Sequence, residues 1–237
     1  MDAAALVSGW SAAAAQLPAL RAAFLLHAVD ARSAEVSGRP VGEVDAALLE
    51  LRRALLGEVL VVRATCKQCG EVLEVALSVP ELLSIEPASR GECTETYDDG
   101  TTVTARAVTP EDVAVASQCA DAAAAVDTLV ERCVRARRGG RDVAVRDCAP
   151  VVRADLERIL ASLDPQGDVS LDVRCAACGR ARALALDLGA VVWRELTAYV
   201  EGLLFDVHRL ASAYGWRHDD VLGLPGPVRA VYLELVP

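Results

Sequence analysis

Two copies of a C-x-x-C-G motif are the residues of this chain with the clearest potential for chemistry. The first copy lies in LVVRATCKQCGEVLEVALSV, residues 60–79, and the second lies in VSLDVRCAACGRARALALDL, residues 169–188. A shift of 109 positions (175 − 66) superimposes the cysteines, the glycines and the alternating apolar residues of the two copies. Alternating runs on both sides of a short turn are typical of a β-hairpin, so each copy predicts a hairpin with two thiols at its tip.

The four thiols of the two motifs predict one structural zinc site. A tetrahedral structural zinc ion takes four ligands, and each hairpin supplies two cysteines. The predicted ligands are Cys66, Cys69, Cys175 and Cys178. A glycine follows each cysteine pair, and we interpret it as a position where the backbone turns back over the metal and a Cβ would clash. We expect the two hairpins to come together as a pseudo-twofold module around one ion.

Redox chemistry and disulfide bonding are the alternatives for these cysteines. A thioredoxin-like C-x-x-C motif begins a helix after a strand, whereas strand-like residues follow both motifs in this chain. The opening segment MDAAALVSGW has no basic region ahead of an apolar core, so it does not resemble a secretory signal. We therefore expect a cytoplasmic protein with reduced thiols, and reduced thiols favour a metal site over disulfides.

Composition and charge narrow the class of protein. The chain has 237 residues, of which 53% are hydrophobic and 24% are charged, and these values fit a globular protein of one or two domains. The net charge of −10 argues against the binding of nucleic-acid phosphate as the main task, although zinc knuckles often bind nucleic acids. No apolar stretch approaches the roughly 20 residues of a membrane span.

The periodicity of apolar residues predicts an α+β fold that is mainly helical, with terminal helices packed around the paired hairpins. Helices are expected at 17–31, 44–56, 80–85, 120–138, 151–163, 191–214 and 228–236, and a strand is expected at 101–109. The predicted divisions are an N-terminal helical segment (1–58), the first hairpin (59–90), a mixed strand and helix insertion (91–167), the second hairpin (168–190) and a C-terminal helical segment (191–237).

Two local signals in the insertion concern the ends of helices. Thr109 and Pro110 predict a helix start with Thr109 as the N-cap, and Asp112 lies at the capping-box position. The helix at 120–138 is expected to end at Gly139-Gly140. Cys119 and Cys133 are expected close to one face of that helix as small buried apolar residues, and Cys93 and Cys148 receive no role.

The C-terminal segment concentrates the large aromatic side chains of a chain that is only 4% aromatic. These residues are Trp193, Tyr199, Tyr214, Trp216 and Tyr232. Such a concentration indicates either the densest part of the core or a partner-binding face. Tyr214, Trp216 and Tyr232 are the candidate partner-binding residues, and Gly215 is expected to end the preceding helix.

The same segment resembles the T4-like baseplate hub assembly chaperone family of contractile phages and phage-tail-like contractile injection systems. The resemblance lies in DVHRLASAYGWRHDDVLGLPGPVRAVYLELV, residues 206–236, where H-x-L-A-x-x-Y-G-W precedes a short helix and Tyr232-Leu233. It covers residues 168–237 and extends to 43–85, while Pro225-Gly226-Pro227 departs from the family pattern. The resemblance implies a protein without enzymatic activity that helps to build the baseplate hub. Its implied partners are baseplate, hub, spike or tube proteins, and it either leaves the assembled particle or remains in it.

A search for catalytic constellations agrees with a non-enzymatic role. The chain holds no G-x-S-x-G, P-loop or H-E-x-x-H motif. Its three histidines, His27, His208 and His218, lie in helical patterns or near a helix start, and four cysteines leave a zinc ion no open position for a substrate. Three hypotheses stand at this point: an assembly factor or structural component of a contractile injection system, a nucleic-acid-binding zinc ribbon, and a redox protein.

Overall fold

The computed structural model describes residues 2–29 and 36–236. The helices are α1 (Ala3–Ala14), α2 (Arg21–Val29), α3 (Val41–Leu56), α4 (Val79–Leu83), α5 (Pro110–Ala116), α6 (Ala122–Cys133), α7 (Pro150–Leu163), α8 (Leu188–Tyr214), α9 (His218–Leu222) and α10 (Gly226–Leu235). The strands are β1 (Val59–Thr65), β2 (Val72–Ser78), β3 (Glu92–Thr96), β4 (Thr101–Arg106), β5 (Val134–Arg138), β6 (Arg141–Val143), β7 (Ser170–Arg174) and β8 (Ala181–Ala185). Single 3-10 turns lie at Pro18–Leu20, Val36–Gly38, Val145–Asp147 and Pro165–Gly167.

The described elements form an α+β fold with small antiparallel sheets, which confirms the predicted fold class at that level. Strands β1 and β2 form one hairpin, β7 and β8 form another, and the remaining strands make a four-stranded sheet in the order β3-β4-β5-β6. Within the described residues, no helix combines the length and the apolar character that a membrane span needs.

The main hydrophobic core lies between the N-terminal helices and the long helix α8. Its fully buried leucines include Leu6 of α1, Leu25 of α2, Leu48 of α3, and Leu196 and Leu210 of α8. The buried residues of α8 recur every three or four positions, which is the spacing of one helix face. Residues at the bases of both hairpins belong to the same core, so the two hairpins are rooted in one packed unit.

A second core lies beneath the four-stranded sheet. Val103 of β4 and Val134 of β5 pack in it with Val152 and Ile159 of α7. The burial along β4 alternates between buried and half-buried residues, as expected for a strand with one face covered by a helix. The segment between the hairpins therefore has its own buried cluster.

A buried carboxylate joins the end of this second unit to the main core. Asp164 follows α7, and its side chain accepts a hydrogen bond of 2.8 Å from the backbone N–H of Gly42 in the first turn of α3. The same carboxylate accepts a bond from the N–H of Gly167 at 3.1 Å. A Cβ on Gly42 would lie 2.1 Å from the Oδ1 atom of Asp164 and 2.6 Å from the backbone nitrogen of Gly167. Only a residue without a side chain fits at position 42 at this separation.

A second buried carboxylate, Asp112, holds β4, α5 and α6 together. Thr109 and Asp112 form the capping box that the sequence predicts at the start of α5. Asp112 also accepts hydrogen bonds of 2.7 Å from the guanidinium groups of Arg106 and Arg132. Burial alone would raise the pKa of Asp112, but Arg106, Thr109 and Arg132 together hold that pKa well below its usual range. The carboxylate of Asp112 is therefore ionised, and its hydrogen bonds link β4, α5 and α6.

A third carboxylate, Asp45 of α3, lies where α3 meets the start of α8. Burial and, to a smaller extent, the nearby carboxylates of Asp187 and Asp164 together raise the pKa of Asp45 to about 7, against a hydrogen bond from the N–H of Gly189. Asp187 is the N-cap of α8 and accepts a bond of 2.8 Å from the N–H of Ala190. The ionised form of Asp45 is therefore disfavoured in the folded protein.

The structure corrects the prediction of one long helix at 120–138. Helix α6 ends at Cys133, and residues 134–138 form strand β5, which pairs with β4. In this segment the buried Val134 and Ala136 alternate with exposed arginines, and that period of two suits a strand. Gly139 and Gly140 have φ angles of 56° and 78°, so they form the two-residue turn of the β5–β6 hairpin instead of a helix end.

The predictions for Cys119, Cys133 and the other helices are confirmed in part. Cys133 is buried as expected, but Cys119 precedes α6 and is only half-buried, so the two do not share a helix face. The helix expected at 17–31 is a 3-10 turn followed by α2, and residues 30 and 31 lie outside the described residues. The helices expected at 44–56, 80–85, 151–163, 191–214 and 228–236 are confirmed with small changes of bounds. Gly215 ends α8 with a φ angle of 71°, as predicted.

We predict that Gly42→Ala destabilises the protein by about 2 kcal/mol, because the new methyl group must displace the Asp164 carboxylate and the backbone at Gly167. The matched control is Gly202→Ala in α8, where an added Cβ meets nothing within 4 Å. Alanine is the better helix former, so the control is expected to be neutral or more stable than the wild type. Urea unfolding of the three proteins measures both differences, and equal stability of the two variants would contradict the described junction.

We predict that Asp45→Asn stabilises the protein at pH 8 and changes little near pH 4. The unfolded aspartate has a pKa near 3.9, so only the folded chain keeps this proton as the pH rises toward 7, and stability falls over that window. Asparagine keeps the acceptor oxygen without the charge, and the gain at pH 8 is expected to be on the order of 2 kcal/mol. Urea unfolding at both pH values, with Asp172→Asn on an exposed strand position as the control, measures it. A variant that is no more stable than the wild type at pH 8 would show that Asp45 is ionised at no cost.

Candidate metal centre

The two cysteine-bearing hairpins have the same register. In the first hairpin Val62 pairs with Val75, and in the second Leu171 pairs with Leu184, each of them 109 positions later (171 − 62 and 184 − 75). Leu73 and Arg182 occupy equivalent positions under the same shift, opposite Ala64 and Val173. The internal repeat in the sequence is therefore also a repeat in the strand pairing.

Each C-x-x-C segment forms a tight turn with the same hydrogen bonds. In the first hairpin the N–H of Gly70 donates to the carbonyl of Cys66 at 2.9 Å, and in the second the N–H of Gly179 donates to the carbonyl of Cys175 at 2.8 Å. The two glycines have φ angles of 77° and 69°, which L side chains rarely adopt. An added Cβ would meet nothing within 4 Å at either position. The glycines are therefore needed for their backbone conformation, and no clash with another protein atom accounts for them.

The four predicted ligand residues come together at the tips of the hairpins. Their sulfur atoms all lie within 4.8 Å of one another, and the ligand set is Cys66, Cys69, Cys175 and Cys178. The Sγ atoms of Cys66 and Cys178 are 3.8 Å apart, and those of Cys69 and Cys175 are 3.6 Å apart. Four sulfurs at about 2.3 Å from a central ion in a tetrahedron are about 3.8 Å from each other. The four thiols therefore fit a tetrahedral metal ion.

These separations do not fit disulfide bonds. Sulfur atoms in a disulfide are about 2.05 Å apart, and all four cysteines are free. Cys66 and Cys175 are buried, whereas Cys69 and Cys178 are exposed at the hairpin tips. An ion held by all four would have two ligands on the protein side and two on the solvent side.

The backbone of the first turn favours a thiolate. The N–H groups of Gln68 and Cys69 point at the sulfur of Cys66 and lower its pKa to about 6. The N–H of Glu71 is the largest single influence on Cys69 and favours its thiolate. Hydrogen bonding with Cys66, burial, and hydrogen bonding with the two cysteines of the other hairpin together outweigh it and raise the pKa of Cys69 to about 12. Of the two thiols in this turn, Cys66 therefore loses its proton first. A thiolate at one of the four positions is the form that binds a metal ion.

An apolar layer separates the thiols from the main core. Leu73 and Val173 are buried together with Cys66 and Cys175, and Val75, Leu171 and Leu184 pack against them. Side chains of this kind limit solvent access to a metal site. The sequence prediction named the ligands but not this layer. The signal for it is the alternation on both sides of each motif, which places these residues on the same strand face as the buried cysteines.

Arg52 anchors the base of the first hairpin. Its guanidinium is buried, with 4% of the side chain exposed, and it forms an ion pair of 2.7 Å with Glu195 of α8. It also donates to the carbonyls of Gly57 and Val59, at the end of α3 and the start of β1. Gln166 lies in the 3-10 turn before β7, and its side-chain amide donates a hydrogen bond of 3.2 Å to the carbonyl of Leu82. Both hairpins are thus fixed at their bases, which directs their tips toward each other.

The remaining cysteines do not belong to this cluster. Within the described residues, the four thiols are the one group of three or more cysteine, histidine or acidic side chains that could hold a metal ion. Cys133 donates its S–H to Asp112, and Cys119 lies 3.3 Å from the hydroxyl of Thr128. Cys148 is buried in the second core, and Cys93 packs against it. The three histidines also lie outside the group.

The three candidate partner-binding aromatics form a cluster of their own. Tyr214 and Trp216 stack with ring centroids 4.9 Å apart, and Tyr232 meets Trp216 edge-on at 4.8 Å. Trp216 and Tyr232 pack against the main core, whereas Tyr214 is 40% exposed. The cluster joins the end of α8 to α10. Two of the three residues therefore contribute to packing, and Tyr214 offers the most open ring.

We predict that Cys175→Ser loses the bound metal and lowers the unfolding temperature by roughly 10 °C, because three thiolates hold a structural ion poorly and metal binding is part of folding. The control is Cys119→Ser, which removes a thiol outside the cluster and is expected to keep both metal and stability. Metal analysis by mass spectrometry and a thermal melt compare the three proteins. If Cys175→Ser keeps the melting temperature and solubility of the wild type, the four-thiol site is not structural.

No protein-family model, no curated protein and no solved structure matches this chain.

Proposed function

We propose that this protein is a non-enzymatic assembly factor or structural component of the baseplate hub of a phage-tail-like contractile injection system, with a fold clamped by one structural zinc ion. The observation that carries the proposal is the C-terminal motif H-x-L-A-x-x-Y-G-W with its downstream Tyr232-Leu233. Tyr214, Trp216 and Tyr232 of this motif meet in one aromatic cluster, and Gly215 has the left-handed conformation that ends α8. The three aromatic residues of the resemblance thus contact one another, which supports the proposal that they belong to one motif.

Zinc is the ion that we propose for the four-thiol cluster. A ligand set of four cysteine sulfurs in a tetrahedral arrangement suits zinc, and four protein ligands leave no open position for catalysis. The ion would join stretches of chain with 105 residues between Cys69 and Cys175 (175 − 69 − 1). Its role would be mechanical, because it closes a long loop and holds both hairpins on the same core.

The C-terminal helices supply the proposed partner-binding surface. Phe205 of α8 is 62% exposed and Leu235 of α10 is 65% exposed. These exposed fractions are high for large apolar side chains in a folded protein. Val228 and Val231 are also exposed on α10, near the aromatic cluster in sequence. Aromatic side chains are enriched at protein interfaces, and the buried centre of an interface is more apolar than the rest of the surface. We propose that baseplate, hub, spike or tube proteins bind here, with Tyr214 as the most accessible aromatic residue.

We predict that the tagged protein, isolated from the organism that encodes it, carries tube, spike or baseplate proteins identified by mass spectrometry. A variant with Phe205→Ser and Leu235→Ser is expected to lose most of these partners, because it removes the two most exposed apolar side chains of the surface. The control is Val126→Ser on α6, a side chain that is 58% exposed beside the second core. All three proteins must show the same thermal melt, so that lost binding is not lost folding.

The outcome separates the three hypotheses. Presence of the protein in purified sheathed particles as well would identify a structural component, and absence from them would identify an assembly factor. Recovery of nucleic acid, or of redox enzymes, without tube, spike or baseplate proteins would overturn the proposal in favour of a zinc ribbon or a C-x-x-C redox protein.

A further inference from the structure

A cavity of about 410 Å³ lies where the helices of the main core meet the segment between the hairpins. Its wall comes from the 3-10 turn before α2, from α5, and from the first turns of α2, α3 and α8. Most of this wall is apolar, and it includes Val44 of α3, Val113 of α5 and Trp193 of α8. The volume lies within the range of small-molecule sites, which are also mostly apolar with a few polar groups.

Two carboxyl groups lie in this wall, on Asp45 of α3 and on Asp187 at the N-cap of α8. Asp45 is half-buried and Asp187 is exposed. Burial is the main cause of the raised pKa of Asp45, about 7, and the charges of Asp187 and Asp164 add to it. Among the described residues, no cation contributes to this shift. The protein therefore leaves the negative charge at this side of the cavity without a counterion.

The remaining polar groups of the wall do not supply a counterion. Arg21 is the one cation of the described wall, and its Cζ atom lies 5.5 Å from the ring centroid of Trp193. Its Nε–H donates to the carbonyl of Gln16 at 3.4 Å, so the guanidinium lies between the indole ring and the turn before α2. Helix α5 contributes no charged group to the wall, and the hydroxyl of Ser117 at its end donates to the carbonyl of Ala114.

This combination of groups indicates the chemistry of a ligand. A carboxyl group with a raised pKa inside a cleft is typical of functional sites, because packing alone favours an uncharged residue there. An ammonium group that entered the cavity would donate to both carboxylates and stabilise their ionised forms. The apolar chain that carries it would contact Val44, Val113 and Trp193. An anion would be repelled, and a neutral molecule would gain only the apolar contacts.

We propose that this cavity binds a primary ammonium group on an apolar chain, with Asp45 and Asp187 as its counterions and hydrogen-bond acceptors. A small aliphatic amine and a lysine side chain of a partner protein share this chemistry. The site goes beyond the proposed assembly function and does not depend on the metal centre.

The test measures the binding of hexylamine to the wild-type protein by isothermal titration calorimetry at pH 8. Hexanol and hexanoate are the neutral and anionic controls with the same chain length. Hexylamine is expected to bind at least about tenfold more tightly than hexanol, because only the ammonium group forms charged hydrogen bonds with the carboxylates. Hexanoate is expected to bind more weakly than hexanol, since the two carboxylates repel it.

Three variants locate the binding in the cavity. Asp45→Asn keeps the shape of the wall without the charge, and the affinity for hexylamine is expected to fall about tenfold. Ala190→Leu narrows the cavity without a change of charge and is expected to weaken the binding of hexylamine and hexanol alike. Asp172→Asn removes a carboxylate from an exposed strand position outside the wall and is expected to bind as the wild type does.

The pH dependence identifies the carboxylate involved. The wild-type affinity for hexylamine is expected to rise between about pH 6 and pH 8, because the proton of Asp45 competes with the ammonium group below about pH 7. The amine itself stays protonated over this range, as lysine does. Asp45→Asn is expected to lose this rise. The other charged groups near Asp45 are Asp187, Asp164 and Arg21, and both proteins retain them, so the difference reports on Asp45 alone.

Three results would overturn the inference. They are equal affinity for hexylamine and hexanol, equal affinity of Asp45→Asn and the wild type for hexylamine, and unchanged binding in Ala190→Leu.

Two further measurements distinguish the sources of the ammonium group. A free amine of the cell is expected to appear in native mass spectrometry of the gently isolated protein as the added mass of a small basic molecule, which Asp45→Asn lacks. A lysine side chain of a partner is expected to be joined to Asp45 or Asp187 by a carbodiimide, which condenses a carboxylate with an amine. The cross-linked peptide would then identify the partner. Either result supports the site.

Discussion

The interaction on which the rest of the structure depends is the meeting of four thiols from two hairpins that are far apart in sequence. With 105 residues between Cys69 and Cys175, the closure of this loop has a considerable entropic cost, and contacts between the sulfur atoms alone offset little of it. An ion bound by four thiolates contributes free energies large enough to drive folding. The separations of 3.6 and 3.8 Å between sulfurs are those that such an ion would impose.

The remainder of the fold supports this meeting at the other end of each hairpin. Arg52 ties the start of β1 to α3 and, through Glu195, to α8, while Asp164 ties the segment before β7 to the first turn of α3. The bases of both hairpins therefore belong to one core. The segment between them forms its own buried cluster under a four-stranded sheet. Beside this cluster, Asp112 accepts hydrogen bonds from Arg106 and Arg132 and so links β4, α5 and α6. Helix α8 continues from the second hairpin to the aromatic cluster, which links the proposed metal centre to the proposed partner surface through one rigid element.

Sequence patterns were sufficient for the hairpins and for the four cysteines, because a repeat with period-two alternation and a fixed C-x-x-C-G spacing depends on local geometry. They were insufficient where two periodicities overlap. The apolar residues of α6 lead into the segment Val134–Arg138 without a break, and only the partner strand β4 makes its alternation decisive. The knuckle glycines are explained by their positive φ angles, which the C-x-x-C-G spacing alone does not specify. The proximity of Asp45 to the carboxylate of Asp187 depends on tertiary packing that no local pattern encodes.

The measurement that tests the central claim most directly is X-ray absorption at the zinc edge, on protein purified under reducing conditions without added metal. We predict about one zinc ion per chain, with a shell of four sulfurs at about 2.3 Å and no nitrogen or oxygen ligand. A protein that contains no zinc, or zinc with a shell of nitrogen and oxygen atoms, would contradict it. Either result would mean that no four-sulfur zinc site joins the two hairpins.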